Sequence, residues 1–178
     1  MNISKPIVHS LFPINLVESN FEFDSSPLIK ELYKIQNQNP KGVTISNAGG
    51  YQTQDTLQTN SYFLPLVNFI KEVIFKGVNR SSQILNMWGN ISPKYCYNIT
   101  HHHEGFREPS IMSGVAYLQV TKDSGDIVFH SPSDICQTNK FTPTNKCMLL
   151  FPQNLIHSVN PNNNDQDRIS VAFNVKIL

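Results

Sequence analysis

Apolar positions recur along the chain with two different periods, and the change falls near residue 80. In the first part, Ser26-Pro27 reads as an N-cap followed by proline at the first helical position. Leu28, Leu32 and Ile35 then stand at i, i+4 and i+7, which predicts a short amphipathic helix to about Gln38, stopped by Asn39-Pro40-Lys41-Gly42. Phe63, Leu66, Val67, Ile70, Val73 and Ile74 form one apolar stripe, predicting a second helix from Ser61 to Lys76 that ends at Gly77. The polar, glycine-rich stretch Ser46 to Gln52 between them reads as a loop.

From about residue 83 the period becomes two. Runs rich in Val, Ile, Phe and Tyr alternate with clusters of Gly, Pro, Asn and Ser. They predict strands near 84–91, 94–103, 111–120, 126–130, 147–152, 156–160 and 168–177. Seven strands after two helices make the fold mainly β, an antiparallel sandwich or barrel with two N-terminal helices packed outside. The polar segment Ser131 to Lys146 interrupts the series as a long loop, and loops of that length commonly carry function. The expected organisation is a single domain over 1–178, with 1–80 as helical support and 81–178 as the sheet core.

Composition narrows the classes. In 178 residues, 14 Lys+Arg nearly balance 13 Asp+Glu, and only 15% of positions are charged. That excludes a basic nucleic-acid surface or a polybasic membrane patch. Three cysteines without CxxC spacing give no disulfide framework and read as buried free thiols. No charged start followed by an apolar run is present, and no stretch reaches membrane-spanning length, so a cytoplasmic protein is expected, in host cytoplasm if viral.

The candidate chemistry lies in the histidines, three of which are consecutive: His101, His102 and His103. Side chains alternate between the faces of a strand. Tyr95, Tyr97, Ile99, His101 and His103 share one parity and, being the more apolar set, are expected to face the interior. Two imidazoles at i and i+2 can bind one metal ion, with a third ligand from His130 or His157. Opposite parity offers His102 and Glu104 instead. On the last strand, Ile169, Val171, Phe173, Val175 and Ile177 form one face, and Arg168, Ser170, Ala172 and Asn174 the other. A buried arginine requires an anionic partner, and a carboxylate fits its planar fork beside the Ser170 hydroxyl. Trp88, Phe151 and Phe173 read as core.

The stretches Ser46-Asn47-Ala48-Gly49-Gly50-Tyr51-Gln52, Trp88-Gly89-Asn90-Ile91, Asn98-x-x-His101-x-His103, Ser113 to Leu118, Gly125 to Phe129, and Phe151-Pro152…His157-Ser158-Val159-x-Pro161…Arg168 to Asn174 together resemble a family of 2-oxoglutarate/Fe(II)-dependent oxygenases found in marine bacteria and phages. That family is distantly similar to prolyl hydroxylases, and the likeness runs over nearly the whole chain. The resemblance implies a double-stranded β-helix (jelly-roll) core with Fe(II) and 2-oxoglutarate as cofactors, ascorbate being an optional addition. It implies that His101, His103 and His157 hold the iron, with His102 and Glu104 as the alternative register. It implies that Arg168 and Ser170 hold the distal carboxylate of 2-oxoglutarate and that Tyr117 contacts the same molecule. Asn98 and Tyr97 are candidate lining residues of the cosubstrate pocket, with a satisfied core role as the alternative. The family's usual triad is two histidines and a carboxylate, and here His103 stands where the carboxylate is expected.

The implied reaction consumes 2-oxoglutarate and oxygen, hydroxylates a protein, peptide or small-molecule substrate, and releases succinate and CO2. Ser131–Lys146 and Glu104–Ser110, with Arg107 and Glu108, are the expected substrate rim. A monomer or homodimer is expected, with no nucleic-acid or membrane partner. Two other classes remain: a cupin-like three-histidine metal protein without 2-oxoglutarate turnover, and a non-catalytic viral jelly-roll.

Overall fold

The structure, a computed structural model, describes residues 14–103, 111–134 and 136–178. Its elements in chain order are β1 (Val17–Asn20), α1 (Ser26–Gln38), β2 (Asn47–Ala48), β3 (Tyr51–Gln52), α2 (Leu64–Val78), β4 (Ser82–Ser92), β5 (Tyr97–His101), β6 (Ile111–Gln119), β7 (Ile127–His130), β8 (Thr138–Phe141), β9 (Cys147–Pro152), β10 (His157–Val159) and β11 (Arg168–Ile177). The strands form two sheets, of order β1-β9-β6-β11-β4-β3 and β2-β5-β10-β7-β8. The fold is mainly β, with two sheets and two α-helices, in agreement with the expected jelly-roll class.

The large sheet has one apolar face toward the helices. Leu28 and Leu32 of α1 and Leu66, Ile70 and Ile74 of α2 share a buried cluster with Met87, Ile91, Val171, Phe173 and Val175. A second cluster combines Tyr117, Leu149 and Phe151 from the large sheet with Ile127 and Phe129 from the small one. The alternation along β11 follows directly. Ile169, Val171, Phe173 and Val175 enter the helix-side core. Arg168, Ser170, Ala172 and Asn174 line a cleft on the other face.

Several local expectations change. The stretch Ser46 to Gln52 is not a plain loop, because it contains β2 and β3. β2 pairs with β5 in the small sheet, and β3 pairs with β4 in the large one. The chain crosses between sheets at Gly49 and Gly50, both in the left-handed region at φ 71° and 70°. A Cβ on Gly50 would stand 2.8 Å from the Ile91 carbonyl oxygen, so the crossing requires glycine sterically as well as conformationally. The polar segment 131–146 likewise contributes a strand, β8, to the small sheet.

The helix boundaries also move. The N-cap of α1 is Ser25 rather than Ser26, because the Ser25 carbonyl accepts the first intrahelical bond, from the Ile29 amide at 3.1 Å. The second helix begins after a 3-10 turn at Ser61–Phe63 and runs through Gly77 to Val78. Its left-handed cap is Asn79 (φ 54°), a residue type that adopts this conformation at modest cost. Tyr97 and Ile99, expected inside, are 41% and 51% exposed. Among the described residues, β5 is flanked on that edge by the two-residue β2 alone. Of the cysteines, only Cys147 is fully buried, and Cys136 is exposed. No helix among the described residues is long and apolar enough to cross a membrane.

Candidate metal centre

Strand register brings the histidines together. His101 on β5 and His157 on β10 are direct antiparallel partners, so their side chains share a face. His103 follows β5, and its amide donates to the Gln153 carbonyl. One ligand nitrogen from each of the three lies within 4.8 Å of the others. The ring centroids stand 4.3 Å apart for His101 and His157, and 5.3 Å apart for His103 and His157. His102 is exposed at the cleft edge, outside this group. His130 makes a 3.2 Å contact through Nε2 with Ser158 Oγ and also stays outside it. Glu104, Arg107, Glu108 and the rest of 104–110 lie outside the described residues, as does His9.

The second nitrogen of each ring explains what the first can do. His101 Nδ1 is 2.7 Å from the Ile99 carbonyl oxygen, and His157 Nδ1 is 2.8 Å from that of Leu155. His103 Nδ1 is 2.7 Å from Asn174 Oδ1. A carbonyl oxygen only accepts, so each Nδ1 carries the hydrogen and each Nε2 presents a lone pair. Burial pushes the imidazole of His157 down to about 3 and that of His103 to about 4. It lowers His101 as well. The three are therefore neutral donors at pH 7. Phe151 packs edge-on to His157 at 4.9 Å, and Trp88 lies 5.4 Å from His103. Trp88, expected in the core, is only half-buried and lines the cleft.

The cleft holds about 770 Å³ and extends from the histidines along the large sheet. Its floor is built in rows across β6, β11 and β4. Ser170 faces Tyr117 on one side and Asn90 on the other, and Asn174 faces Ser113 and Asn86. Arg168 is 2% exposed. Its Nη1 donates to the carbonyls of Ser124 (2.7 Å) and Asn160 (3.0 Å), and no carboxylate among the described residues pairs with it. Gly125 permits this approach, since a Cβ there would stand 2.6 Å from Arg168 Nη1. Desolvation lowers the Arg168 pKa and raises that of the buried Tyr117 hydroxyl. A buried guanidinium with only carbonyl partners has its charge uncompensated, which suits an incoming carboxylate.

Asn98 lines the cleft, and its Nδ2 donates to Ser46 Oγ at 3.1 Å. The rim differs from expectation. No described residue of 131–146 lines the cleft, whereas Val43, Ile45, Gln52, Gln54 and Asp55 do. Ser113, Asn86 and Asn90 had no assigned role in the sequence. Strand pairing places all three on the cleft face, a relation that alternation within one strand cannot reveal.

Residues 131–174 match the model of a family described as "Putative 2OG-Fe(II) oxygenase". No curated protein matches the chain by sequence. Among solved structures, a Pseudomonas putida prolyl-4-hydroxylase is similar at 14% identity and TM-score 0.64, with 91% of each chain covered. The viral collagen prolyl hydroxylase of Paramecium bursaria Chlorella virus-1, in its 2-oxoglutarate complex, has 14% identity and TM-score 0.66, covering 92% of this chain and 96% of that one. HygX from Streptomyces hygroscopicus, with nickel and 2-oxoglutarate bound, has 12% identity and TM-score 0.65, covering 92% and 83%. The sequence match is thus confined to the C-terminal part of the chain, while the likeness of fold spans nearly all of it. Residues 131–174 thus resemble that oxygenase family, and the three-histidine group sits in a fold that the chain shares with these structures.

Proposed function

We propose that the protein hydroxylates a C–H bond of an organic substrate, consuming 2-oxoglutarate and O2 and releasing succinate and CO2, with His101, His103 and His157 as the iron ligands. The convergence of one ring nitrogen from each of three histidines within 4.8 Å, with each Nδ1 tied to a carbonyl oxygen, carries this reading. The donor set fits a ferrous ion: three neutral imidazoles within reach of one ion, beside a cleft for the remaining coordination positions. When bound, the iron supplies the oxidising chemistry, and three neutral ligands leave its full charge to attract a dianionic cosubstrate.

The chain's own residues orient and shield. Arg168 offers its planar fork to the distal carboxylate of 2-oxoglutarate, with Ser170 and Tyr117 beside it. Phe151, Ile127 and Val159 keep that end of the cleft dry, which strengthens the ion pair. Asn98 stands at the wall between the histidines and the rim. Among the described lining residues, Arg168 is the only permanent cation and Asp55 the only carboxylate. With Arg168 engaged by the cosubstrate, the described lining of the outer cleft carries no charge apart from Asp55 and presents the amides Gln52, Gln54, Asn86 and Asn90. That surface favours a neutral, hydrogen-bonding substrate, and a peptide segment fits it. The prolyl hydroxylases among the structural neighbours, the Pseudomonas putida and Chlorella virus enzymes among them, support the same substrate class.

Purified protein with Fe(II), 2-oxoglutarate and ascorbate should form succinate, including uncoupled turnover without substrate. Iron binding with neither succinate formation nor 2-oxoglutarate binding would overturn the proposal and leave a three-histidine metal protein of another activity.

A further inference from the structure

The three histidines are held by unlike partners. His101 and His157 donate to backbone carbonyls within their own segments, from Ile99 and Leu155. His103 donates to a side chain, Asn174, on the opposite sheet. The direction of that bond is decided further away. Asp55 Oδ2 can only accept, and Asn86 Nδ2 lies 3.4 Å from it. This turns Asn86 Oδ1 toward Asn174, whose Nδ2 donates to it at 2.8 Å. Asn174 Oδ1 is thereby left facing His103 Nδ1 at 2.7 Å, and it also accepts from Ser113 Oγ at 2.6 Å, which leaves the hydroxyl oxygen, 2.8 Å from His103 Nδ1, as a second acceptor. Reversing either amide would set acceptor against acceptor or donor against donor.

We propose that Asn174 is a positioning residue for the metal centre: with Asn86 and Asp55 it forms a directional hydrogen-bond relay across β11 and β4 that holds His103 as the Nδ1–H tautomer, so that Nε2 is the ligand atom. The relay is uncharged where it meets the imidazole, so His103 stays a neutral ligand at the position where the usual triad has a carboxylate. It also ties a ligand that follows the short β5 to the rigid large sheet. Asn86, Asn174 and Ser113 are direct cross-strand partners, so their mutual placement is set by backbone pairing and not by flexible reach.

The inference rests on His103 being a metal ligand, and its test is read first without metal. Long-range 1H–15N correlation of histidine-labelled, metal-free protein, with His103→Gln to assign the signals, should show His103 protonated at Nδ1. In Asn174→Leu that preference should be lost, and Co(II) affinity should fall by about tenfold to a hundredfold. Asn174→Asp keeps the acceptor and should retain both the tautomer and Co(II) affinity to within a few-fold. Asn86→Leu removes one link while Asn174 and Ser113 remain, and should weaken Co(II) binding by a few-fold. A wild-type His103 protonated at Nε2, an Asn174→Leu protein with unchanged tautomer and affinity, or an Asn174→Asp protein as impaired as the leucine variant would each overturn the relay. Should Asn174→Leu not fold, the wild-type spectrum and the other two variants still decide. The expected tautomer in a wild-type protein that binds no Co(II) would support the relay while defeating the oxygenase reading.

Discussion

The two sheets do different work. The large sheet has long strands: β4, β6 and β11 contain 11, 9 and 10 residues. It is backed by both helices and supplies the cleft floor, with Arg168, Ser170, Tyr117 and Asn174. The small sheet has strands of two to five residues. It exposes Tyr97 and Ile99 yet carries His101 and His157. One sheet is a scaffold whose stability comes from apolar burial. The other presents the candidate ligands on elements with little core of their own. An ion bound between them would add most where the intrinsic packing is least, because binding free energy accrues to the folded state.

Five experiments sharpen that contrast. On the large sheet, Phe173→Ala removes a fully buried ring from the helix-side core and should cost about 3–5 kcal/mol, lowering Tm by roughly 10 °C with or without metal. On the small sheet, His157→Ala should reduce Fe(II) or Co(II) affinity by more than about a hundredfold, measured by titration, while the circular dichroism of the metal-free protein stays that of wild type. Unchanged affinity would remove His157 from the centre. Arg168→Lys keeps the charge but not the fork. It should raise the KM for 2-oxoglutarate by about tenfold or more while iron content is unchanged, dividing the cosubstrate site from the metal site.

The fourth experiment uses pH. The folded pKa values of His103 (about 4) and His157 (about 3) lie below the unfolded value of 6.5. Between those limits the unfolded chain binds more protons, so the stability these residues contribute is complete above about 6.5 and is lost as pH falls toward 3–4. Thermal melts of metal-free protein should show Tm falling through this window, and less steeply in His157→Ala. A flat profile would contradict the neutral, desolvated state of the cluster. The smallest effect is expected at Lys94, whose ion pair with Asp165 is exposed. Lys94→Ala should change Tm by no more than about 1–2 °C.

The β11 pattern was legible because it is regular. Ten residues with a strict two-residue alternation place Ile169 to Val175 in the core and Arg168 to Asn174 in the cleft, as alternation requires. The histidine run was legible as a pair of one parity plus a distant partner, but His130 and His157 are alike in isolation. Only the pairing of β10 with β5 sets His157 opposite His101. Tyr97 and Ile99 show the limit of the same rule: parity groups residues on a face, and the neighbouring chain decides whether that face is covered. Between Gly49 and Gly50 the sequence signals a turn, yet that turn passes the chain between two sheets, a fact about distant partners.

The sequence by itself determined the two periods, the helix and strand segments, the polar face of the last strand and the chemistry its residues can perform, since these depend on side-chain type and on neighbours a few positions away. Tertiary structure alone showed how strand pairing sets His157, already singled out by the family resemblance, opposite His101, which partner meets each imidazole Nδ1, and that the described cleft lining includes Val43 to Asp55 and none of the 131–146 segment. Those outcomes depend on strand order and register. A hydrogen bond between Asn174 and His103 spans 71 residues of chain, and no local pattern encodes contacts at that separation.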